Sequence, residues 1–139
     1  MTRWMLDTDT CIALVNQQRG FLRVVDHLDR IERQQVLISA VTAGELYFGV
    51  ARSARPDANL ASLNRFLAEF EVAPFDEDAA RTYGQVRGRL ADAGTPIGPL
   101  DTMIAGHALS LRARVVTHNV SEFRRVRGLK VVDWLAGPA

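Results

Sequence analysis

Short apolar runs alternate along this chain with longer stretches in which apolar residues recur at helical spacing. The short runs predict strands at residues 4–6, 36–38, 71–73, 114–117 and 131–132. The longer stretches predict helices from about residue 10 onward and at residues 21–31, 42–53, 58–70, 76–93 and 101–111. Strands that alternate with helices favour an α/β fold whose parallel sheet is covered on both faces.

The composition is typical of one compact domain, which we expect to span residues 1–139. The 139 residues are 47% hydrophobic and 24% charged, as is ordinary for a globular protein with one core. No apolar run is long enough to span a bilayer, and an acid interrupts the first residues too early for a signal peptide, so we expect no membrane association. Cys11 is the only cysteine and has no partner for an internal disulfide, which favours a reducing, cytoplasmic location.

The charge of the chain is nearly balanced but strongly biased toward arginine. The formal net charge is +1, and Lys130 is the only lysine among 17 basic residues. Arginine suits bidentate contacts with phosphate, although a biased genome produces the same composition. The net charge therefore neither indicates nor excludes a nucleic-acid partner.

Two aspartates follow the first predicted strand, in the sequence MLDTDT. Parallel sheets place their sites beyond the carboxyl ends of the strands, which is the position of Asp7. Asp9 precedes Thr10 and a predicted helix, so we expect Asp9 to be the N-cap. Asp7 has no such local role, and we therefore interpret it as a functional carboxylate.

Three further polar residues occupy comparable positions, and each also has a local structural interpretation. Glu45 comes after the second strand, yet it also completes a capping box with Thr42. Asp101 begins a small apolar helix, where it is a natural cap. Asn119 follows the fourth strand, where asparagine is common in turns. Taken together, four polar side chains from four segments are expected to meet at one edge of the sheet.

The types of these residues indicate a metal site. Carboxylates that converge repel one another and raise each other's pKa unless a cation lies between them. Oxygen ligands without cysteines or paired histidines favour Mg²⁺ or Mn²⁺ over zinc. A metal held in this way suits phosphoryl chemistry, and the sequence shows no convincing pattern of a nucleophilic triad.

Other polar residues receive simpler interpretations. His107 falls within an apolar helix and is expected to be a core histidine bonded to the backbone. Cys11 is expected to contribute to packing. Glu122 and Asp133 are interpreted as solvated acids, and His118 is placed near the proposed site as a candidate substrate contact.

Four blocks in series carry a resemblance to a known family. They are MLDTD, SAVTAGELYFGV, IGPLDTMIAGHALSL and VVTHNVSEFRRVRGLKVVDW. In this order they resemble the PIN-domain ribonucleases, specifically the VapC toxins of bacterial toxin–antitoxin pairs, over essentially the whole chain. The resemblance implies a three-layer α/β/α sandwich around a mainly parallel sheet of four to five strands. It also implies a Mg²⁺- or Mn²⁺-dependent endoribonuclease, a VapB antitoxin that neutralises it, a homodimer, and assembly on DNA through the antitoxin.

The resemblance also assigns roles to individual residues. The family's metal-binding acids fall on Asp7, Glu45 and Asp101, and its fourth catalytic position falls on Asn119. Many PIN domains carry an acid at that fourth position, and asparagine cannot act there as a charged ligand of a second metal ion. Asp9 stands where relatives often have Asn or Ser, and it either adds a carboxylate to the site or only caps the helix.

The RNA contacts implied by the resemblance are basic residues near the site. Arg87 and Arg89 precede the Gly-Pro loop, and His118 stands where many relatives have asparagine. A further group follows the last block: Arg124, Arg125 and Arg127. Each of these side chains is equally well explained as part of a solvated face.

Two alternatives remain open at this point. LDTDT fits the Asp-x-Asp-x-Thr pattern of phosphatases of the haloacid-dehalogenase type, but the downstream lysine of those enzymes is missing, because Lys130 lies near the end of the chain. The other alternative is a catalytically silent PIN-like binding module in which the acids only cap helices.

Overall fold

The architecture is described by a computed structural model for residues 1–136. The predicted domain extends to residue 139, and its last three residues lie outside the described residues. The helices and strands follow in the order β1 (Trp4–Leu6), α1 (Thr8–Val15), α2 (Phe21–Asp29), β2 (Val36–Ser39), α3 (Ala40–Ala51), α4 (Pro56–Leu67), β3 (Glu71–Ala73), α5 (Glu77–Asp92), α6 (Pro99–Ser110), β4 (Arg114–Val116), α7 (Val120–Phe123) and β5 (Val131–Val132). A short 3-10 turn, Arg33–Gln35, precedes β2.

The five strands form one sheet in the order β3-β2-β1-β4-β5, and every pair is parallel. Met5 at the centre of the sheet is in register with Leu37 on one side and Val115 on the other. The chain builds the sheet outward from β1 in one direction and then returns to the other side of β1 with β4. Ligands of such sheets bind where the order reverses, beyond the carboxyl ends of β1 and β4.

The core lies in two layers because successive residues of each buried strand point to opposite faces. Met5 and Leu37 pack with α5 and α6 on one face. Leu6 and Ile38 pack with helices α1 to α4 on the other face. All four side chains are fully buried. The predicted three-layer α/β/α sandwich with a mainly parallel sheet is therefore confirmed.

Helices α5 and α6 pack unusually closely. A Cβ atom added to Gly106 of α6 would lie 2.6 Å from the Cα atom of Tyr83 in α5. Glycine at this position therefore lets the two backbones approach. The close packing matters for the site, because Asp101 lies in the first turn of α6.

Two capping assignments made from the sequence are wrong. Helix α1 begins at Thr8, so its N-cap is Asp7 rather than Asp9. Helix α3 begins at Ala40 with Ser39 as its N-cap, so Thr42 and Glu45 lie inside the helix and form no capping box. Both errors have one cause: each strand runs directly into its helix, and the residue at the junction becomes the cap. The capping role considered for Asp101 is also wrong, because α6 begins at Pro99 and its N-cap is Gly98.

None of the helices within residues 1–136 is both long enough and apolar enough to cross a membrane.

Candidate active site

Asp7 lies at the carboxyl end of β1, where its backbone N–H donates to the carbonyl of Val116 in β4 at 3.0 Å. The side chain is only 2% exposed. Its Oδ1 accepts a hydrogen bond from the backbone N–H of Thr10 at 2.9 Å. Burial raises the pKa of Asp7 to about 6, although hydrogen bonds from Thr117 and Thr10 act in the opposite direction.

Asp101 faces the same region from the first turn of α6. Burial raises its pKa to about 6, and the charge of Asp7 is the second cause. Glu122, Asp9 and Glu45 add smaller repulsions in the same direction. Because such interactions weaken with distance, these carboxylates belong to one neighbourhood. The charges of acids from three other segments thus act on Asp101.

Asn119 connects two of these acids. Its Nδ2 donates to Oε2 of Glu122 at 2.8 Å and lies 3.4 Å from Oδ2 of Asp101. The prediction that Glu122 is solvated is wrong, because the single turn of α7 returns this half-buried side chain toward the site. The spacing of three residues between Asn119 and Glu122 is the signal that could have shown this contact.

Glu45 is held by a residue that sequence reasoning did not consider. Its Oε1 accepts a hydrogen bond from Oγ1 of Thr8 at 2.6 Å. Thr8 belongs to α1 and directly follows Asp7, so this bond ties α3 to the carboxyl end of β1. Thr42 lies 3.3 Å from the same hydroxyl oxygen. A threonine between two aspartates gave no signal of a contact that spans 37 residues.

His118 is paired with a carboxylate beside the site. Its Nδ1 lies 2.9 Å from Oδ2 of Asp133. The prediction that Asp133 is solvated is wrong, since this side chain is only 17% exposed. Its Oδ1 also accepts from the backbone N–H groups of Leu135 and Ala136. Asp133 is therefore a fixed carboxylate that orients the exposed ring of His118.

The residues assigned to the core are indeed buried. His107 is 1% exposed, and its Nδ1 lies 2.8 Å from Oγ of Ser39, so its closest partner is a side chain. Burial lowers the pKa of His107, which favours the neutral ring. Cys11 is fully buried and packs in the layer of α1 to α4.

The predicted RNA-contact arginines lie on the exposed face of α5. Arg87 donates to the hydroxyl of Tyr83 at 2.8 Å. Arg89 lines a separate shallow cleft with Arg125 and Arg127. No hydrogen bond or ion pair joins Arg87 or Arg89 to the acids of the site within residues 1–136, and their role stays a prediction.

The donor set consists of oxygen atoms, which fits Mg²⁺ or Mn²⁺. In the described part of the chain, no three acidic, histidine or cysteine side chains are grouped closely enough to enclose an ion by themselves. Mg²⁺ commonly uses one or two protein carboxylates and keeps several waters. Asp7 and Asp101, with their raised pKa values and no arginine or lysine partner within residues 1–136, meet this need.

The profile of the PIN domain matches residues 4–129. The chain belongs to the PIN-domain family, in its VapC branch. The tRNA(fMet)-specific endonuclease VapC of Salmonella typhimurium is 41% identical to this PIN domain over 96% of the chain and 99% of that protein. Ribonuclease VapC2 of Rickettsia felis is 31% identical over 94% of the chain and 97% of that protein.

Solved structures give the same result for this PIN domain. The crystal structure of DNA-bound VapBC from Salmonella typhimurium contains a chain that matches with a TM-score of 0.87 at 41% identity. The match covers 96% of this chain and 99% of that one. The resemblance drawn from the four sequence blocks is therefore confirmed, and the phosphatase alternative is wrong.

Proposed function

We propose that this PIN domain is a divalent-metal-dependent endoribonuclease and the toxin of a VapBC pair. The observation that carries the proposal is that two partly or fully buried acids, Asp7 and Asp101, lie in one acidic neighbourhood, where the charge of Asp7 raises the pKa of Asp101. Both carboxylates have a pKa raised to about 6, and each charge contributes to an acidic neighbourhood that contains no basic partner within residues 1–136. A divalent cation relieves this repulsion. The relatives named endonuclease and ribonuclease support the same activity.

Asp7 and Asp101 would hold the metal, and Glu45 would act as the third ligand through a coordinated water. A bound Mg²⁺ supplies positive charge for the phosphoryl oxygens and lowers the pKa of a coordinated water. Thr10 and Thr117 orient Asp7, while Asn119 orients Asp101 and Glu122. Glu45, positioned by Thr8, is suited to accept a proton from an attacking water.

The proposed reaction is hydrolysis by water rather than attack by the ribose 2′-hydroxyl. Water adds to phosphorus, and the 3′-oxygen leaves and takes up a proton. The products therefore carry 5′-phosphate and 3′-hydroxyl ends. A transfer RNA is the first substrate to test, because the Salmonella relative at 41% identity is named for tRNA(fMet).

The proposed antitoxin site is an apolar cleft between α1, α3 and α4. It has a volume of about 360 Å³, and its lining includes Leu46, Val50 and Leu63. Phe48, on the same helix as Leu46, is 66% exposed. Glu45 also lines this cleft, so a partner seated there would reach a proposed catalytic acid. We assign the cleft to a VapB-type antitoxin, in keeping with the VapBC complex that resembles this chain.

Three further parts of the proposal follow from the family. The chain forms a homodimer, associates with DNA through its antitoxin, and acts in the cytoplasm where its RNA substrate is found. The chain is proposed to fold as one domain over residues 1–139.

The proposal is tested with purified chain and transfer RNA in Mg²⁺ or EDTA. Cleavage is expected only with the metal, with 5′-phosphate ends, and Asp101→Asn should remove it. Products with 2′,3′-cyclic phosphate, or equal cleavage by Asp101→Asn, would contradict the mechanism. A wild-type chain that leaves RNA intact under all conditions would favour the silent binding module.

A further inference from the structure

A positively charged cleft lies at the end of the sheet where the parallel strands begin, opposite the end that carries the acidic site. It has a volume of about 480 Å³, and Arg112, Arg114 and Lys130 supply its charge. Arg114 is the first residue of β4, and Lys130 immediately precedes β5. No carboxylate within residues 1–136 lines this cleft. Its charge is thus opposite in sign to that of the acidic rim formed by Asp7 and Asp101.

Contacts within the sheet hold the backbone of Lys130 and the side chain of Arg114. The carbonyl of Lys130 accepts a hydrogen bond from the N–H of Val115 at 2.9 Å. The guanidinium carbon of Arg114 lies 5.2 Å from the ring centroid of Trp4, a cation–π distance. None of the three forms an ion pair in the described part of the chain. Their charge is therefore available to an anion.

Arg112 occupies a backbone position that normally belongs to glycine. It follows the end of α6 with φ +55°, and the N–H of Ala113 closes the helix on the carbonyl of Ala108 at 2.9 Å. A side chain in this left-handed conformation costs stability relative to glycine. Arg112 thus carries a charged side chain at a position where glycine would be more stable. Gln17, after α1, has the same geometry with φ +49° but carries no charge.

Exposed arginines occur in the segment that runs from the acidic site to this cleft. The segment from Asn119 to Lys130 begins at the carboxyl end of β4 and ends at the start of β5, so it crosses the height of the sheet. Its cations are Arg124, Arg125, Arg127 and Lys130. Since Asn119 is only five positions after Arg114, their Cα atoms lie at most about 18 Å apart. One folded RNA is long enough to contact both edges.

We propose that Arg112, Arg114 and Lys130 bind backbone phosphates of the RNA whose scissile bond lies at the Asp7–Asp101 site. This inference rests on the proposed nuclease function. The acidic rim repels RNA before a metal binds, and the net charge of the chain is only +1, so attraction must come from a local cluster. Contacts to phosphates away from the reacting bond set the position of the strand without reading its sequence.

The test measures the affinity of the full chain for a labelled transfer RNA in EDTA, at 50 to 200 mM KCl. Arg112→Gly should weaken binding, and Arg112→Lys should restore most of it. The fourfold rise in KCl should weaken RNA binding by about threefold for each phosphate contact. A variant that has lost one such contact should therefore lose about threefold less affinity over this range than the wild type does. Lys130→Gln should have the same type of effect. Gln17→Gly is the matched control and should bind as the wild type does.

The outcomes separate the cleft from the fold and from catalysis. Neither glycine variant should lower Tm, because both relieve a left-handed side chain. Equal RNA affinity and equal salt dependence for Arg112→Gly and the wild type would overturn the proposal. The proposal would also be overturned if Arg112→Gly lost binding to poly-glutamate but kept its binding to RNA. That result would assign the cleft to an acidic protein segment. If the chain binds RNA through Arg112 but does not cut it in Mg²⁺, the proposed phosphate binding by the cleft is supported. Only the proposed nuclease activity is then contradicted.

Discussion

The side-chain nitrogen of Asn119 donates to Oε2 of Glu122 at 2.8 Å. This bond supplies a donor at the one place in the acidic site where many PIN domains carry a further acid. The same nitrogen lies 3.4 Å from Oδ2 of Asp101. An amide here therefore contacts two carboxylates, and we expect it to lower the dependence of the site on a cation.

Asn119→Asp should reverse this effect. A carboxylate beside Glu122 and Asp101 adds repulsion, so Tm in EDTA at pH 8 should fall by a few degrees, and the gain in Tm on adding Mg²⁺ should exceed that of the wild type. Asn119→Ala is the control, because it removes the donor without adding charge and should show no larger gain. A gain in Asn119→Asp no greater than that of the wild type would contradict this account of the site.

Asp7 should destabilise the metal-free chain at neutral pH. Its folded pKa of about 6 exceeds the ordinary value of 3.8, so the folded chain binds the proton more tightly than the unfolded chain does. The free energy of unfolding therefore falls as pH rises from about 4 to 6, and the loss persists above pH 6. Asp7→Asn keeps a good N-cap and removes this loss, which amounts to at most about 3 kcal/mol.

Urea unfolding in EDTA at pH 4.5 and pH 8 measures this difference. Asp7→Asn should be more stable than the wild type at pH 8, with a smaller advantage at pH 4.5. An advantage that is equal at the two pH values would show that burial does not raise the pKa of Asp7.

The stability gained from Mg²⁺ should increase as pH rises, whereas the stability of the metal-free chain should fall. Mg²⁺ requires the ionised forms of Asp7 and Asp101, whose pKa values are both about 6 in its absence. We expect millimolar Mg²⁺ to raise Tm at pH 7.5 and to have little effect at pH 5. Asp7→Asn should remove the gain at pH 7.5. If Asp7→Asn and the wild type respond alike to the metal, the ligand assignment is wrong.

Thr8→Val should impair cleavage without loss of the fold. Valine keeps the shape of threonine but removes the hydroxyl that donates to Glu45 at 2.6 Å. Because partners that orient a metal site commonly contribute tenfold to a hundredfold, we expect kcat on RNA to fall by about that range. Thr8→Ser retains the hydroxyl and is the matched control. Full activity of Thr8→Val at unchanged Tm would show that Glu45 needs no such support.

Gly106→Ala should destabilise the packing of α5 against α6. The added methyl group would lie 2.6 Å from Cα of Tyr83, where only backbone movement can make room. Overpacking of this kind costs about 1–3 kcal/mol, measured by urea unfolding. Gly88→Ala in α5 meets no atom within 4 Å and should be stabilising by about 0.5–1 kcal/mol. The same sign for both variants would contradict the close approach of the helices.

The sequence by itself predicted the elements and the family, because both depend on local patterns. The short apolar runs around Met5, Leu37 and Val115 indicate strands without showing which strands pair. Their alternation with helices implies a parallel sheet. That sheet in turn predicts an acidic edge at Asp7. The four motif blocks were specific enough to indicate the PIN-domain family, which the match over residues 4–129 confirms.

Only the tertiary structure decided which partner on a distant segment each polar side chain takes. Thr8 meets Glu45 across 37 residues, and Asp133 meets His118 after a loop that crosses the sheet. The N-cap moved from Asp9 to Asp7 because β1 runs straight into α1. Hydrophobic periodicity determines which face of an element is buried, whereas a hydrogen bond depends on the register between elements, and no local pattern in the chain encodes that register.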